Sequence, residues 1–189
     1  GRHINTMTLS MNDPNRHVRK NALFVMTQLL LQDYVKWKGF LPYRFISMVI
    51  DTNPDVAEFA KKLLKTSLRN KYRSMMITHF VETIVVLNNC RDHPIYTAIA
   101  SSCVDEAYLE TIRDCSQSFD CYKRHLIYSF MTEDLSDEEK IQLTAKIVQD
   151  LLASAVDIHE RLLPRRWTEN VRNANNESAI QFTSFENIL

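Results

Sequence analysis

Two stretches of the chain carry the same punctuation 38 residues apart: Asp13-Pro14-Asn15 followed by Val18 and Ala22, and Asp51-Thr52-Asn53-Pro54 followed by Val56 and Ala60. The offset is the same at Asp, Asn, Val and Ala. Asp and Asn side chains bond backbone N–H groups a few residues on, and proline presets the dihedral of a first helical turn. Each copy therefore delivers the chain through a tight corner into an apolar helix. Recurrence at such a period marks a stack of helical units, each unable to bury its apolar face alone. The expectation is a scaffold rather than an enzyme.

Composition agrees with helices. The 189 residues are 45% apolar yet include only 2 glycines and 5 prolines, too few for an architecture of strands and tight turns. Lys and Arg total 23, as do Asp and Glu, so any nucleic-acid contact must come from local clustering rather than from a net field. Cys90, Cys103, Cys115 and Cys121 form no CxxC pair, and a reducing compartment is the default. Cys90 and His93 have ligand-like spacing but no matching second pair, so they read as an ordinary thiol and imidazole at a helix end, and no metal or other cofactor is expected. No stretch approaches the roughly 20 apolar residues of a membrane helix, and Gly1-Arg2-His3-Ile4-Asn5 lacks a signal peptide's apolar core. Neither a membrane nor a small-molecule substrate is implied. With no cap for either end of a stack, the chain reads as a piece of a longer array.

Helical periodicity runs from about Asn15 to Gln32, with Val18, Ala22, Val25, Met26, Leu29 and Leu30 on one face and Arg16, Arg19 and Lys20 on the other. Gly39 allows a turn, and a second helix is expected over about Tyr43 to Ile50. Val56, Phe59, Ala60, Leu63, Leu64 and Leu68 form the next stripe, with Asp55 and Glu58 near the positive end of the helix dipole. Another helix follows over about Met75 to Asn89. Asp92-His93-Pro94 offers a third corner, but the expected helix is delayed, and about 94–119 reads as an irregular insertion with a short helix near Ala107 to Arg113. The pattern resumes from Tyr122 to Met131. Ser136-Asp137-Glu138-Glu139 is a capping box opening a helix to about Val156, which buries Ile141, Leu143, Ala145, Ile147, Val148, Leu151 and Leu152 in some combination. The repeat segment thus spans 1–157. Residues 158–189 form an irregular extension, with a linker at Asn173 to Ser178 and a docking peptide at Phe182 to Leu189.

Paired helices with Asp-Pro corners and the Val18-Arg19 dipeptide resemble HEAT repeats. The phrases Asp13-Pro14-Asn15-Arg16-His17-Val18-Arg19-Lys20-Asn21-Ala22 and Leu29-Leu30-Leu31-Gln32-Asp33-Tyr34-Val35-Lys36-Trp37-Lys38-Gly39 resemble the C-terminal repeat region of condensin D-type subunits. His79-Phe80-Val81-Glu82-Thr83-Ile84, Leu87-Asn88-Asn89, Ile127-Tyr128-Ser129-Phe130 and Ser136-Asp137-Glu138-Glu139-Lys140 are more similar to the condensin II version. The resemblance covers roughly 11–157. It implies an all-α HEAT-repeat solenoid of antiparallel helix pairs, a non-catalytic subunit of the condensin II SMC complex in mitotic chromosome condensation. Implied partners are the kleisin subunit, the SMC ATPase heads, double-stranded DNA and histone tails, and the implied location is the nucleus, on chromosomes. ATP hydrolysis would belong to the SMC partners; this chain has no Gly-rich phosphate loop, nucleophile elbow or His-Glu-x-x-His helix. The rival expectation is a HEAT-like adaptor in transport or signalling that binds peptides and not DNA.

For DNA, the densest charge is Lys61, Lys62, Lys65, Arg69, Lys71 and Arg73, six bases in thirteen residues with no acid among them. Lys61, Lys65 and Arg69 share one helical face, a strip able to neutralise successive phosphates, although a solvated face is the commonest fate of a charge run and the helix dipole favours bases at this end. Lys36 and Lys38 flank Trp37 in a corner and could press on phosphates, unless the indole is simply core. Arg19 is open to a structural role, bonding acids or carbonyls of a neighbouring repeat and burying its stem. The seven methionines read as core filling before partner surface.

Overall fold

In the computed structural model, residues 2–101, 121–153 and 156 are described, and every regular element among them is helical. Helix α1 (Arg2–Leu9) passes through a 3-10 turn, Ser10–Asn12, into the first corner. There Asp13 Oδ1 accepts the Asn15 N–H at 2.7 Å and Asn15 Oδ1 accepts the His17 N–H at 2.9 Å, opening α2 (Arg16–Leu31). The second corner repeats these bonds. Asp51 Oδ1 accepts the Asn53 N–H at 2.8 Å, and Asn53 Oδ1 accepts from Asp55 and Val56 at 3.1 and 3.3 Å. That starts α4 (Pro54–Leu63), with Pro54 where a missing N–H costs nothing. The repeated letters are thus a repeated set of helix caps, each worth about 1 kcal/mol.

Between the corners, α2 ends on Asp33 at φ 63°, and Gly39 at φ 65° turns the chain into α3 (Leu41–Ser47) and its 3-10 extension Met48–Ile50. The residues Leu41 to Ile46 are all buried, which makes α3 an inner helix. Helix α4 runs through a π-helical stretch, Leu64–Leu68, into the single turn α5 (Arg69–Lys71). Next comes α6 (Met75–Leu87), apolar around most of its circumference and in contact with α3, α7 (Pro94–Ser101), α8 (Cys121–Thr132) and α9 (Asp137–Lys146). An all-round apolar helix belongs at the centre of a packed array. A π-helical stretch, Ile147–Leu152, continues α9.

One core cluster joins α2, α3, α4, α6, α8 and α9 through Leu23, Met26, Phe45, Leu64, Leu68 and Ile127, among others. A smaller one links α3, α6 and α7 through Phe40, Tyr43, Val81, Val85, Tyr96 and Ile99. Met11, Met26, Met48, Met75, Met76 and Met131 are buried, as core filling requires. Arg44 lies among them at 3% exposure and donates to the Thr8 carbonyl at 3.3 Å.

Two expectations need correction, and a third is narrowed. On α2 the buried set is Arg19, Leu23, Met26, Thr27 and Leu30, whereas Val18 and Val25 are exposed; hydrophobic periodicity placed the face one position off because the residue that fixes it is an arginine. The helix after the third corner is not delayed, since α7 begins at Pro94. His93 takes the capping role, its Nδ1 accepting the Ile95 N–H at 3.2 Å, and histidine is not among the usual cap residues. In α9 only Leu143 of the expected apolar residues is fully buried; Ile147 and Leu151 are half-buried, and Ile141, Ala145, Val148 and Leu152 are exposed. The capping box is present, with Ser136 accepting from the Glu139 N–H and Glu139 from the Ser136 N–H. The expected helix near 107–113 and the extension 158–189 lie outside the described residues.

Candidate nucleic-acid and partner interface

Arg19 joins the two corners. Its Nε and one terminal nitrogen donate to the two carboxylate oxygens of Asp51, both at 2.7 Å, while the other terminal nitrogen donates to the carbonyls of Asp13 at 2.9 Å and Pro14 at 3.1 Å. The two side chains are only 10% and 6% exposed. Bonding to Asp51 raises the already high guanidinium pKa, against the opposing effect of burial. Arg19 therefore takes the structural role the sequence leaves open to it, bonding an acid and carbonyls at the repeat corners. At the matching position 38 residues on stands Ala57, so α4 sends no such rung to the third corner.

The basic strip divides in two. Lys65 Nζ is ion-paired with Glu133 and, at 2.8 Å, with Asp134, and lies 5.4 Å from the centre of the Phe130 ring. Hydrogen bonds donated to Asp134 and, less strongly, to Glu133 raise the Lys65 pKa, and Lys65 in turn holds the Asp134 carboxyl below its ordinary value. Arg69 donates to the Asp134 carbonyl at 3.0 Å and sits 3.5 Å from Glu139. These two cations therefore point into the corner between α8 and α9, not into open solvent. Lys71 Nζ bonds the carbonyls of Leu30 and Leu31 at 2.8 and 2.9 Å and Asp33 at 2.7 Å, a cation placed on the negative end of α2. Lys61 pairs with Glu58 at 2.8 Å within its own helix. Lys62 and Arg73, by contrast, are exposed and have no ion pair among the described residues.

Lys36 and Lys38 are likewise exposed without an ion pair among the described residues. Trp37 between them is packed, stacking on Tyr72 at 5.8 Å and meeting Phe45 edge-on at 5.4 Å. With Lys71 bonded back to α2 and Tyr72 donating to the Leu30 carbonyl at 3.4 Å, the loops carrying Lys36, Lys38 and Arg73 are held side by side. That juxtaposition is not legible in the sequence.

Sequence reasoning also missed a half-buried polar group on α6. Tyr43 donates to Glu82 Oε2 at 2.7 Å, and His79 Nδ1 lies 2.5 Å from the same oxygen. Burial pushes the Glu82 carboxyl up, but the His79 and Tyr43 bonds outweigh it and hold the group below its ordinary value. A carboxylate depressed in the folded state stabilises the protein above the unfolded-state pKa, and that contribution disappears as pH falls through the folded value. Glu82→Gln is therefore expected to flatten the acid side of a thermal-stability profile; an acid limb identical to that of the parent chain would remove this role. Nearby, the His93 Nδ1 that caps α7 leaves Nε2 to donate to the Asp150 carbonyl at 3.2 Å, tying α7 to α9. No helix among the described residues is long and apolar enough to cross a membrane, and none of their His, Cys, Asp and Glu side chains cluster in groups of three suited to a metal.

A protein-family model described as non-SMC mitotic condensation complex subunit 1 matches residues 2–160. The chain is 32% identical over 156 residues to Condensin-2 complex subunit D3-L of Xenopus laevis, covering 82% of this chain and 10% of that protein. It is 30% identical over 155 residues to Condensin-2 complex subunit D3 of Mus musculus and 29% over 158 residues to Condensin-2 complex subunit CAP-D3 of Arabidopsis thaliana, covering 82% of this chain in each case and 10% and 12% of those proteins. The chain therefore spans about a tenth of the length of these relatives. No solved structure matches it. On the extent of the family match, and with relatives of the condensin II D type, the chain belongs to the family of non-SMC mitotic condensation complex subunit 1.

Proposed function

We propose that this helical array is a non-catalytic part of a condensin II D-type subunit, acting in chromosome condensation in the nucleus by holding the kleisin chain beside the SMC heads and touching duplex DNA. The family match over 2–160 is the observation that carries this reading. All-helical architecture with rigid, capped corners suits a scaffold, since each helix pair supplies surface on a fixed frame. Of the eight cations expected to meet DNA, Lys36, Lys38, Lys62 and Arg73 have no competing intramolecular carboxylate among the described residues, whereas Lys61, Lys65, Arg69 and Lys71 each already hold one. Contacts of this kind position a protein on phosphates without reading sequence. Histone tails would be a further partner of the assembled complex.

A pull-down at moderate salt, with the condensin II kleisin and an unrelated kleisin as baits, tests the scaffold. Selective capture by the condensin II kleisin is the expected outcome. Capture by neither would restrict this segment to supporting the rest of the array.

A further inference from the structure

A groove of about 220 Å³ opens where three helices meet: Val49 and Ile50 from the 3-10 end of α3, Lys61 from α4, and Leu126, Ser129, Phe130 and Glu133 along one side of α8. Phe130 is 6% exposed and belongs to the core cluster, while Leu126 is 40% exposed despite being apolar. On the same face of α8, one turn before Leu126, Tyr122 is 69% exposed. The groove thus has apolar walls and a charged rim.

Its size narrows the occupant. Small-molecule and cofactor sites usually enclose about 300–1,000 Å³, and a cavity of this volume is instead of the order of one large apolar side chain. Its rim narrows it further. Lys61 Nζ is held at 2.8 Å by Glu58, which uses one of its three protons. Across the opening, Glu133 meets Lys65 through Oε1, and its carboxylate has a second oxygen. The rim therefore offers unused Lys61 N–H donors on α4 and an unused Glu133 oxygen at the end of α8, each beside the partner it already holds.

We propose that this groove seats the anchor residue of a partner peptide, one large apolar side chain flanked by an acid that meets Lys61 and a base that meets Glu133. The anchor supplies affinity by leaving water, and the paired rim charges fix which way the peptide runs. Because the lining comes from α3, α4 and α8, one side chain would brace elements from successive helix pairs. This deepens the scaffold reading and rests on it for the partner's identity, but not for the peptide chemistry.

The test uses the full chain and fluorescein-labelled nine-residue peptides with a central phenylalanine, carrying aspartate on one side and lysine on the other, in both orders. A third peptide has alanine at the centre. Both phenylalanine peptides should bind, one order several-fold better, and alanine should weaken binding roughly 10–100-fold, the fold-change expected for losing about 1.5–3 kcal/mol of apolar burial. Leu126→Arg should abolish capture, and Lys61→Glu should erase the preference between orders. Circular dichroism checks that each variant is folded, which the exposure of Leu126 and the partial exposure of Lys61 make the expected case. No binding up to 1 mM, equal binding of the alanine peptide, or undiminished binding to Leu126→Arg would overturn the proposal. So would a dimer of this chain dispersed by Leu126→Arg, which would assign the groove to a second copy. If wild-type and Leu126→Arg chains capture the kleisin equally while the peptides fail, the groove assignment falls and the scaffold reading stands.

Discussion

Arg19→Ala is expected to lower the unfolding free energy by about 3–5 kcal/mol, the range for breaking a buried ion pair from one side. The loss has two parts. Two carbonyls of the first corner lose their donor, and the Asp51 carboxylate, 6% exposed, is left buried with, among the described residues, the Asn53 N–H as its remaining hydrogen-bond partner. The second part should dominate, because an uncompensated buried charge costs more than a missing contact. Removing both groups tests this. If the cost lies in the stranded carboxylate, Arg19→Ala with Asp51→Ala should be less destabilising than the sum of the single changes. Arg19→Lys, which keeps the charge but not the two-pronged geometry, should fall between wild type and Arg19→Ala. Denaturant melts showing Arg19→Ala within 1 kcal/mol of the parent would mean that the corners are held by their own caps alone.

This pair also shows where sequence reading reaches its limit. Local features were legible: the caps at Asn15, Asn53 and Ser136, the turn at Gly39 and the helical class all depend on residues within four positions of one another. Features that depend on a partner far along the chain were not. Arg19 sits on what periodicity takes for the polar face of α2, yet its main partner is Asp51, 32 residues away, with the Asp13 and Pro14 carbonyls beside it. Likewise Lys65 looks like solvated charge until Glu133 and Asp134 are brought beside it from 68 and 69 residues on. His93 fails differently, because the chemistry is local but the residue type is an unusual cap.

The two halves of the basic strip make opposite contributions. Lys65 and Arg69 hold the α8–α9 corner against α4 and α5, and partly exposed pairs of this kind are worth little singly but act here as a small network around Asp134. A DNA phosphate would have to compete with carboxylates already in place. Reversing Lys65 and Arg69 is thus an ambiguous probe of nucleic-acid binding, since it also sets like charges against Glu133, Asp134 and Glu139.

Reversing Lys36, Lys38, Lys62 and Arg73 to glutamate is the cleaner experiment, and its expected effect is large. If each meets one phosphate, the logarithm of DNA affinity falls with that of salt at a slope near 0.9 per contact, so wild-type binding should weaken roughly 100-fold between 50 and 200 mM salt. The four-site variant should lose most of that slope together with its low-salt affinity. Its melting temperature should change little, because no ion pair among the described residues involves these four side chains, whereas Lys65→Glu with Arg69→Glu should melt lower. The loop geometry argues that Lys36, Lys38 and Arg73 act together: Trp37 stacks on Tyr72, and Lys71 bonds the end of α2, so the two loops present their cations from one braced edge. Bracing matters because a cation on a fixed loop loses less freedom on meeting a phosphate than one on a loose tail. A four-site variant that shifts a labelled duplex as well as the parent, with the same salt slope, would remove DNA contact from this edge and leave protein partners as the surface's role.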